Sequence, residues 1–317
     1  MNSDFLLNKC YRTDPKTLMF AHSIGMGLYE TPVIRWLEDN EWLNCGYSFQ
    51  RDNGKFKLSR APIRRFEDLN TEGIENIKVL EANDDIKTKV FEIIDDIRSK
   101  HPTVSPGDVA IVFLEGQNSE NYTLADILSV SIRSNYEWST VKGYETKDYT
   151  ENSVFISNRN NIKGLEFPFV ICIANNKISE NIYLRNTLYM MLTRSFITSY
   201  LIINNDKFLT DNSDFIKIYK EAAEEIQNKE YIFVREPSEE EKLTQNRKLS
   251  IVSVRNKMSL NEIVFGVLDQ YPYLTESSKK SILSSMIELQ NQREGEMTEE
   301  EIMISAQKLA KTFEELQ

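Results

Sequence analysis

The chain has 317 residues and a hydrophobic content of 40%, enough for one large domain or two ordinary ones. Its 38 Lys and Arg against 49 Asp and Glu give a net charge of -11, which excludes a chain-wide electrostatic grip on nucleic acid. No stretch approaches the roughly 20 apolar residues of a membrane span, and the N-terminus lacks the order of a signal peptide, so the sequence predicts a cytoplasmic location and no membrane partner.

The first predicted elements are helices and a hairpin. Asp14 can cap a helix and Pro15 suits its first turn, and apolar residues from Leu18 to Leu28 then recur at helical spacing. Thr31-Pro32 predicts a second helix, carrying Val33, Ile34, Trp36 and Leu37. Asn53-Gly54 predicts the turn of a hairpin.

The middle of the chain alternates between strands and helices. Strands are predicted at 77–80, 109–114, 139–141, 154–156, 169–173 and 200–203, with helices at 84–98, 123–132, 188–192 and 215–226 and a last strand at 231–234. This order predicts an α/β fold, with a mostly parallel sheet covered by helices on both faces.

The composition changes after residue 237. We expect residues 1–237 to form the main lobe, 238–244 an acidic linker and 245–317 a small helical appendage. Capping boxes begin at Ser259 and Thr298, and a further helix is predicted at 275–290. The sequence leaves three roles open for the appendage: packing on the lobe, dimerisation and docking of a protein partner.

Two segments could carry chemistry. Lys163-Gly164-Leu165-Glu166-Phe167 lies between two apolar strands, and we expect it outside the carboxyl ends of strands, where ligands of open α/β sheets bind. A tight turn with solvated charges is the alternative. Further on, an amphipathic helix ends in Thr193-Arg194-Ser195 before the next strand. The three cysteines and two histidines are too dispersed to predict a disulfide framework or a metal site.

Together these segments carry a family resemblance. Leu188-Tyr189-x-x-Leu192-Thr193-Arg194, after the Lys163–Phe167 segment and with Tyr11-Arg12-Thr13 far upstream, resembles motifs VI, V and IV of UvrD/Rep-like superfamily 1 DNA helicases. The resemblance spans roughly residues 6 to 205. It implies the second, C-terminal RecA-like motor domain, in a compact form because the chain is too short for a large inserted subdomain before Lys163.

The resemblance implies roles in ATP binding and hydrolysis. Arg194 would be an arginine finger and Arg12 a second contact to the γ-phosphate. Tyr11 would stack on adenine, and Glu166, with Lys163 and Gly164 beside it, would bind the nucleotide through the ribose. Two plain alternatives remain: Arg194 could pair with a carboxylate at its helix end, and Tyr11 could be ordinary core packing.

The family also implies binding of single-stranded DNA, with RNA not excluded. Asn158-Arg159-Asn160 stands where the family has Thr and His, so contact with the strand is expected without assigned roles. Arg60, Arg64 and Arg65 form a second basic cluster, for which a solvated loop is the favoured reading.

No G-x-x-x-x-G-K-[ST] loop occurs in the sequence; the one Gly-Lys pair, Gly54-Lys55, lacks the upstream glycine. The chain alone is therefore not expected to hydrolyse ATP, which a missing N-terminal lobe would hold together with its Mg²⁺. Because the first motif lies near Met1, we expect a fragment of a longer protein. The alternatives are a partner-binding module derived from a helicase lobe and a self-sufficient nucleic-acid-binding domain.

Overall fold

The computed structural model describes residues 13–52, 54–61, 74–83, 85–115, 119–145, 152–178, 182–205, 211–245, 260–268, 271, 274–293, 297 and 299–315. The chain divides into two compact units, Met1–Ser238 and Glu239–Gln317. Each unit is described by itself.

The first unit alternates strands and helices along the chain. Its helices are α1 (Pro15–Gly25), α2 (Asp39–Asn44), α3 (Ile86–Lys100), α4 (Ser119–Tyr136), α5 (Ile182–Leu192) and α6 (Ser213–Lys229). Its strands are β1 (Ser48–Asp52), β2 (Lys55–Ser59), β3 (Ile77–Ala82), β4 (Val109–Phe113), β5 (Ser139–Lys142), β6 (Ser153–Asn158), β7 (Phe167–Ala174), β8 (Ser195–Asn204) and β9 (Tyr231–Arg235).

The main sheet has six parallel strands in the order β3-β8-β7-β4-β6-β5. Alternate residues of each strand point to opposite faces, so the continuous apolar runs of β4 and β7 fill two cores. Val112 and Cys172 face a core shared with α1, α5 and α6, whereas Ile111 and Ile171 face α3 and α4. The predicted α/β fold, with helices on both faces, is confirmed.

A second, smaller sheet joins β1, β2 and β9 in antiparallel order. Gly54 lies in the turn between β1 and β2 and has φ +76°, a left-handed conformation that glycine adopts without a steric cost. Phe56 and Leu58 face inward and join the core beneath α1. The expected hairpin is thus present, and the strand predicted at 231–234 pairs with this sheet.

The prediction of a helix after Thr31-Pro32 is wrong. Residues 31–38 are not helical, and α2 begins only after Glu38, whose N–H donates to the Glu41 carboxylate at 2.8 Å. The Arg35 N–H instead donates to the Met26 carbonyl at 2.9 Å. Tertiary packing of Val33 and Trp36 therefore prevails over their apparent helical spacing.

The second unit contains α7 (Leu260–Leu268), α8 (Glu276–Gln292) and α9 (Glu299–Glu315), and residues 239–245 are also helical. Val264, Ile282, Met286 and Ala306 belong to its own apolar core. Thr275 caps α8 by accepting a hydrogen bond from the Ser278 N–H, whereas Ser259 and Thr298 lie outside the described residues. Among the described helices, none is long and apolar enough to cross a membrane.

Candidate functional site

The Lys163–Phe167 turn lies at the amino end of β7. The Phe167 N–H donates to the Arg194 carbonyl at 3.0 Å, and Phe167 pairs with Ser195, the first residue of β8. The expectation that this turn lies outside the carboxyl ends of strands is therefore wrong. The connection 159–166 crosses back along the sheet without a helix, so its last residues reach the opposite end.

The shape of the turn depends on Gly164. Its φ of +88° lies in the left-handed region, and no atom within 4 Å would meet an added Cβ. A side chain there would have space but would strain the backbone by on the order of 1 kcal/mol. Lys163 and Gly164 are exposed, Glu166 is partly exposed, and the following Phe167 is buried.

Arg194 follows the last turn of α5. Its backbone N–H donates to the Met191 carbonyl and its side-chain Nε to the Met190 carbonyl, both at 3.0 Å. The side chain is partly exposed, and within the described part of the chain its two terminal nitrogens have no partner. The carboxylate pairing considered as an alternative is thus not found among the described residues, and the guanidinium is anchored at one end only.

A buried hydrogen bond joins the start of α1 to the end of α5. The Thr13 hydroxyl donates to the Thr193 carbonyl at 3.1 Å. Asp14 then caps α1 by accepting from the Lys16 and Thr17 N–H groups, and burial raises the pKa of its carboxyl. Tyr11 and Arg12 lie outside the described residues. Their chain neighbour Thr13 is nevertheless held against the residue that precedes Arg194.

His22 extends this contact between α1 and α5. Its ring stacks on Tyr189 at 4.8 Å between centroids, and Nδ1 lies 2.6 Å from the Tyr47 hydroxyl. Burial, followed by the positive charges of Arg60 and Arg35, lowers the pKa of His22 from 6.5 to about 3. The ring is therefore neutral at pH 7 and supports Tyr189 of the Leu188–Arg194 motif. The sequence analysis missed this role.

Arg185, within α5, has a structural role that was not predicted from the sequence. Arg185 is fully buried, with Nη1 2.6 Å from Glu30 Oε1 and 2.6 Å from the Tyr219 hydroxyl. The same nitrogen donates to the Ile24 carbonyl at 3.2 Å. These contacts fasten the first turn of α5 to α1 and α6, at the end of the helix opposite Arg194. A lone cation inside an apolar helical segment was the available signal.

Asn158, Arg159 and Asn160 lie at the carboxyl end of β6. Asn158 is buried, and its Oδ1 accepts from the Asn160 N–H at 3.0 Å, so it shapes the turn. Arg159 is partly exposed and Asn160 is exposed. Asn158 and Ile173 lie on either side of β4 at the same level of the sheet. Ile173 is six residues along β7 from Phe167, so Asn158 is about 20 Å from the amino end of β7. The structure therefore does not bring these residues together with Arg194.

A closed polar network, also absent from the sequence analysis, occupies the carboxyl ends of β4, β7 and β8. Glu115 accepts from the Asn176 N–H at 2.7 Å, and Asn175 donates to Asn121 and accepts from Asn204. Burial raises the pKa of Glu115. Because these groups satisfy one another, the network stabilises the strand ends.

The basic cluster proposed around Arg60 is not an exposed patch at that residue. Arg60 is only 5% exposed, donates to the Cys45 carbonyl and lies over the Tyr47 ring. Arg64 and Arg65 lie outside the described residues. No group of three His, Cys, Asp or Glu side chains suited to a metal ion occurs within the part of the chain that the structure describes.

The first unit is thus an α/β lobe with a parallel sheet covered by helices on both faces, and Arg194 lies at the end of α5 beside the amino end of β7. Residues 153–202 match the family of UvrD-like helicase C-terminal domains. The match spans β6, the Lys163–Phe167 turn, α5 and most of β8, and so includes Arg194 and Asn158–Asn160. The resemblance stated from the motifs is confirmed over this segment.

A solved structure is also similar to this chain. It is described as the crystal structure of the C-terminal domain of a possible DNA helicase from Lactobacillus plantarum WCFS1. The likeness covers 63% of this chain and 89% of that chain, with 14% sequence identity and a TM-score of 0.35. The comparison with curated proteins gives no match.

Proposed function

We propose that this chain is the C-terminal motor lobe of an ATP-dependent DNA helicase or translocase. The observation that carries the proposal is the placement of Arg194: its Nε is held by the Met190 carbonyl, and its terminal nitrogens point to no described partner. The turn with Gly164 lies beside it, and Thr13, next to Arg12, is bonded to Thr193. Two expected nucleotide-facing segments are therefore adjacent.

The chemistry of phosphoryl transfer fits a guanidinium in this position. ATP, when bound, supplies the γ-phosphoryl group whose transfer to water drives the motor. Arg194 keeps its positive charge at any physiological pH and can donate to two phosphate oxygens at once. Because one end of the guanidinium is already anchored, less conformational freedom is lost when the other end binds. Arginine fingers contribute about 10³- to 10⁵-fold in rate in other NTPases.

The described residues suit part of an ATP site and not all of it. Among them, Arg194 suits a contact to a γ-phosphate, and Lys163, Gly164 and Glu166 suit the rest of the nucleotide. Arg12 as a second cation and Tyr11 as a stacking ring would come from outside the described residues. The sequence contains no loop whose N–H groups and lysine could cradle the β- and γ-phosphates. ATP and its Mg²⁺ would therefore be held by an N-terminal lobe, with this lobe completing the site.

Single-stranded DNA would bind at the other end of the sheet. Arg159 and Asn160 reach solvent after β6, where a cation and an amide can contact phosphates. Since this position is about 20 Å from the amino end of β7, strand binding and ATP contact would occur on separate surfaces of one rigid sheet. Motion of the lobe on closure around ATP would then move the bound strand.

The test replaces Arg194 in the complete protein that carries both lobes. Arg194→Ala should leave nucleotide affinity within about two-fold and lower ATP turnover by about 10³-fold, because the lost contact acts mainly in the transition state. Arg159→Ala is the matched control: it removes a cation at the other end of the sheet and should leave DNA-independent turnover unchanged. Equal turnover in Arg194→Ala and the unmodified protein would refute the assignment.

A non-catalytic partner-binding module is the second candidate. Apolar side chains remain exposed in the second unit, with Ile304 58% and Phe265 39% exposed. If this reading holds, adding the N-terminal lobe in trans restores no ATPase activity, whereas the motor-lobe proposal expects Arg194-dependent activity in that mixture.

A further inference from the structure

The outward face of the small antiparallel sheet carries aromatic and basic residues together. Strand alternation places Phe56, Leu58, Ile232 and Val234 in the core, so their neighbours point away from it. In the observed register Lys57 lies opposite Phe233, Lys55 opposite Arg235, and Tyr231 opposite Ser59. The hairpin partner β1 places Gln50 beside Lys57. Cations and aromatic rings therefore lie side by side on one face.

The aromatic part of this face has a defined geometry. The rings of Tyr231 and Phe233 are 5.2 Å apart at an angle of 74°, and both side chains are partly exposed. Lys57 Nζ lies 4.0 Å from the centroid of the Tyr231 ring. Aromatic rings on the solvent side of a sheet gain nothing from core burial, and they offer a flat π-surface with a cation beside it.

The positive charge of the face is not neutralised by neighbours in the described structure. Lys55 and Lys57 form no ion pair with any described residue, whereas Lys78, Lys100 and Lys142 all do. The acidic residues that flank β9 are engaged elsewhere: Glu230 lies 3.3 Å from Lys16, and Glu236 lies 2.9 Å from Arg51.

Asp52, in register with Lys55, is the acidic side chain on this face. In a chain of net charge -11, the face around Lys55 and Lys57 is thus locally positive.

We propose that this face binds single-stranded nucleic acid, with bases stacking on Tyr231 and Phe233 and phosphates bound by Lys55 and Lys57. Stacking aromatics beside cations on an open sheet are suited to unpaired bases and a polyanionic backbone together. The proposal is independent of the motor function, since the face includes neither Arg194 nor Asn158–Asn160 and requires no ATP.

Binding is tested by fluorescence anisotropy of this chain with labelled single strands of about 15 nucleotides, both poly-dT and poly-U. Tyr231→Thr/Phe233→Thr should weaken binding by roughly 25-fold or more, since each stacked base contributes roughly 5- to 100-fold and the variant loses two. Lys55→Gln/Lys57→Gln should reduce the slope of log affinity against log salt by about 1.4. Threonine preserves the strand preference at both aromatic positions.

Matched controls separate this face from general charge effects. Lys87→Gln/Arg133→Gln removes two exposed cations from α3 and α4, and Phe265→Ala removes a partly exposed ring from the second unit. Both should bind as the unmodified chain does. Equal weakening in the controls, no measurable binding by the unmodified chain, or tighter binding of a duplex would each overturn the proposal.

A second measurement guards against a variant that fails to fold. Photocrosslinking of the unmodified chain to a strand containing 5-iodouridine, with the adduct located by mass spectrometry, should label Tyr231 or Phe233. Lys87→Gln should leave that adduct in place. Adducts confined to other segments would overturn the proposal whatever the aromatic variants do.

Discussion

Arg185 and Arg194, nine positions apart in the sequence, show how burial decides the role of a charged residue. Arg185 is surrounded by Glu30, Tyr219 and the Ile24 carbonyl, because a guanidinium taken out of water must be paired and hydrogen-bonded. Arg194 keeps solvent contact and needs only the Met190 carbonyl. A buried pair of the first kind stabilises an arrangement of helices, whereas a half-anchored cation of the second kind can bind an incoming phosphate.

His22 gives a prediction for the pH dependence of stability. Its pKa falls from 6.5 to about 3 on folding, so between these values the unfolded chain binds a proton that the folded chain does not. The contribution of His22 to stability is therefore complete above pH 6.5 and is lost as pH falls toward 3. Between pH 7 and pH 5 we expect a loss of about 1 kcal/mol, after discounting for the partial exposure of the residue.

The measurement compares urea unfolding of the unmodified chain and of His22→Phe at both pH values. Phenylalanine retains the stack on Tyr189 but cannot titrate, so the variant should lack this part of the pH dependence. Asp14 and Glu115, whose raised pKa values act with the opposite sign, are present in both proteins and cancel in the difference. The same pH dependence in both proteins would contradict the prediction.

The contact between α1 and α5 is the element on which the candidate site depends. A Cβ on Gly25 would lie 3.0 Å from the Cβ of Tyr189, so the two helices approach closely there. At the other end of α1, the Thr13 hydroxyl donates a hydrogen bond to the Thr193 carbonyl. The helix therefore contacts α5 at two levels, and its first residues are positioned relative to Arg194.

Thr13→Val tests whether this hydrogen bond positions the site. The change deletes one buried hydroxyl, at a cost of about 1 kcal/mol in stability. It also removes the hydrogen bond that holds Thr13, which follows Arg12, against Thr193, which precedes Arg194. In the complete protein we expect ATP turnover to fall about ten-fold, since small misplacements of catalytic groups are costly.

Thr17→Val is the matched variant, because Thr17 is also buried on α1 and donates to the Asn76 carbonyl at 3.2 Å, away from Thr193. It should lose similar stability and retain turnover. If both variants lose turnover equally, Thr13 acts through stability alone.

The positions of the strands could be predicted from the sequence more completely than the pairing between them. Continuous apolar runs identified β4 and β7, since strands buried on both faces need apolar residues at every position. The strand β9 was also predicted, but nothing local indicated that it pairs with β2, which is far away in sequence. The residues of the Lys163–Phe167 turn were found but placed at the wrong end of the sheet, because the path of a connection depends on packing beyond its own residues.

The whole chain consists of two units with separate cores. The first unit packs helices on both faces of the six-stranded sheet, and the second buries residues such as Val264, Ile282 and Met286 among α7, α8 and α9. Each of the described clusters of buried apolar residues consists of residues from one unit only. The division between Ser238 and Glu239 follows β9, which completes the small sheet.

Residues 1–238 should therefore fold without the second unit. We expect this truncated chain to melt cooperatively within about 5 °C of the corresponding transition of the full chain, because the described residues of the sheet cores all belong to the first unit. Differential scanning calorimetry measures both transitions. A chain ending at residue 194 is the control: it lacks β8, whose Leu201 and Ile203 fill the sheet core, and it should not fold. If the 1–238 chain also lacks a cooperative transition, the first unit depends on the helices that follow it.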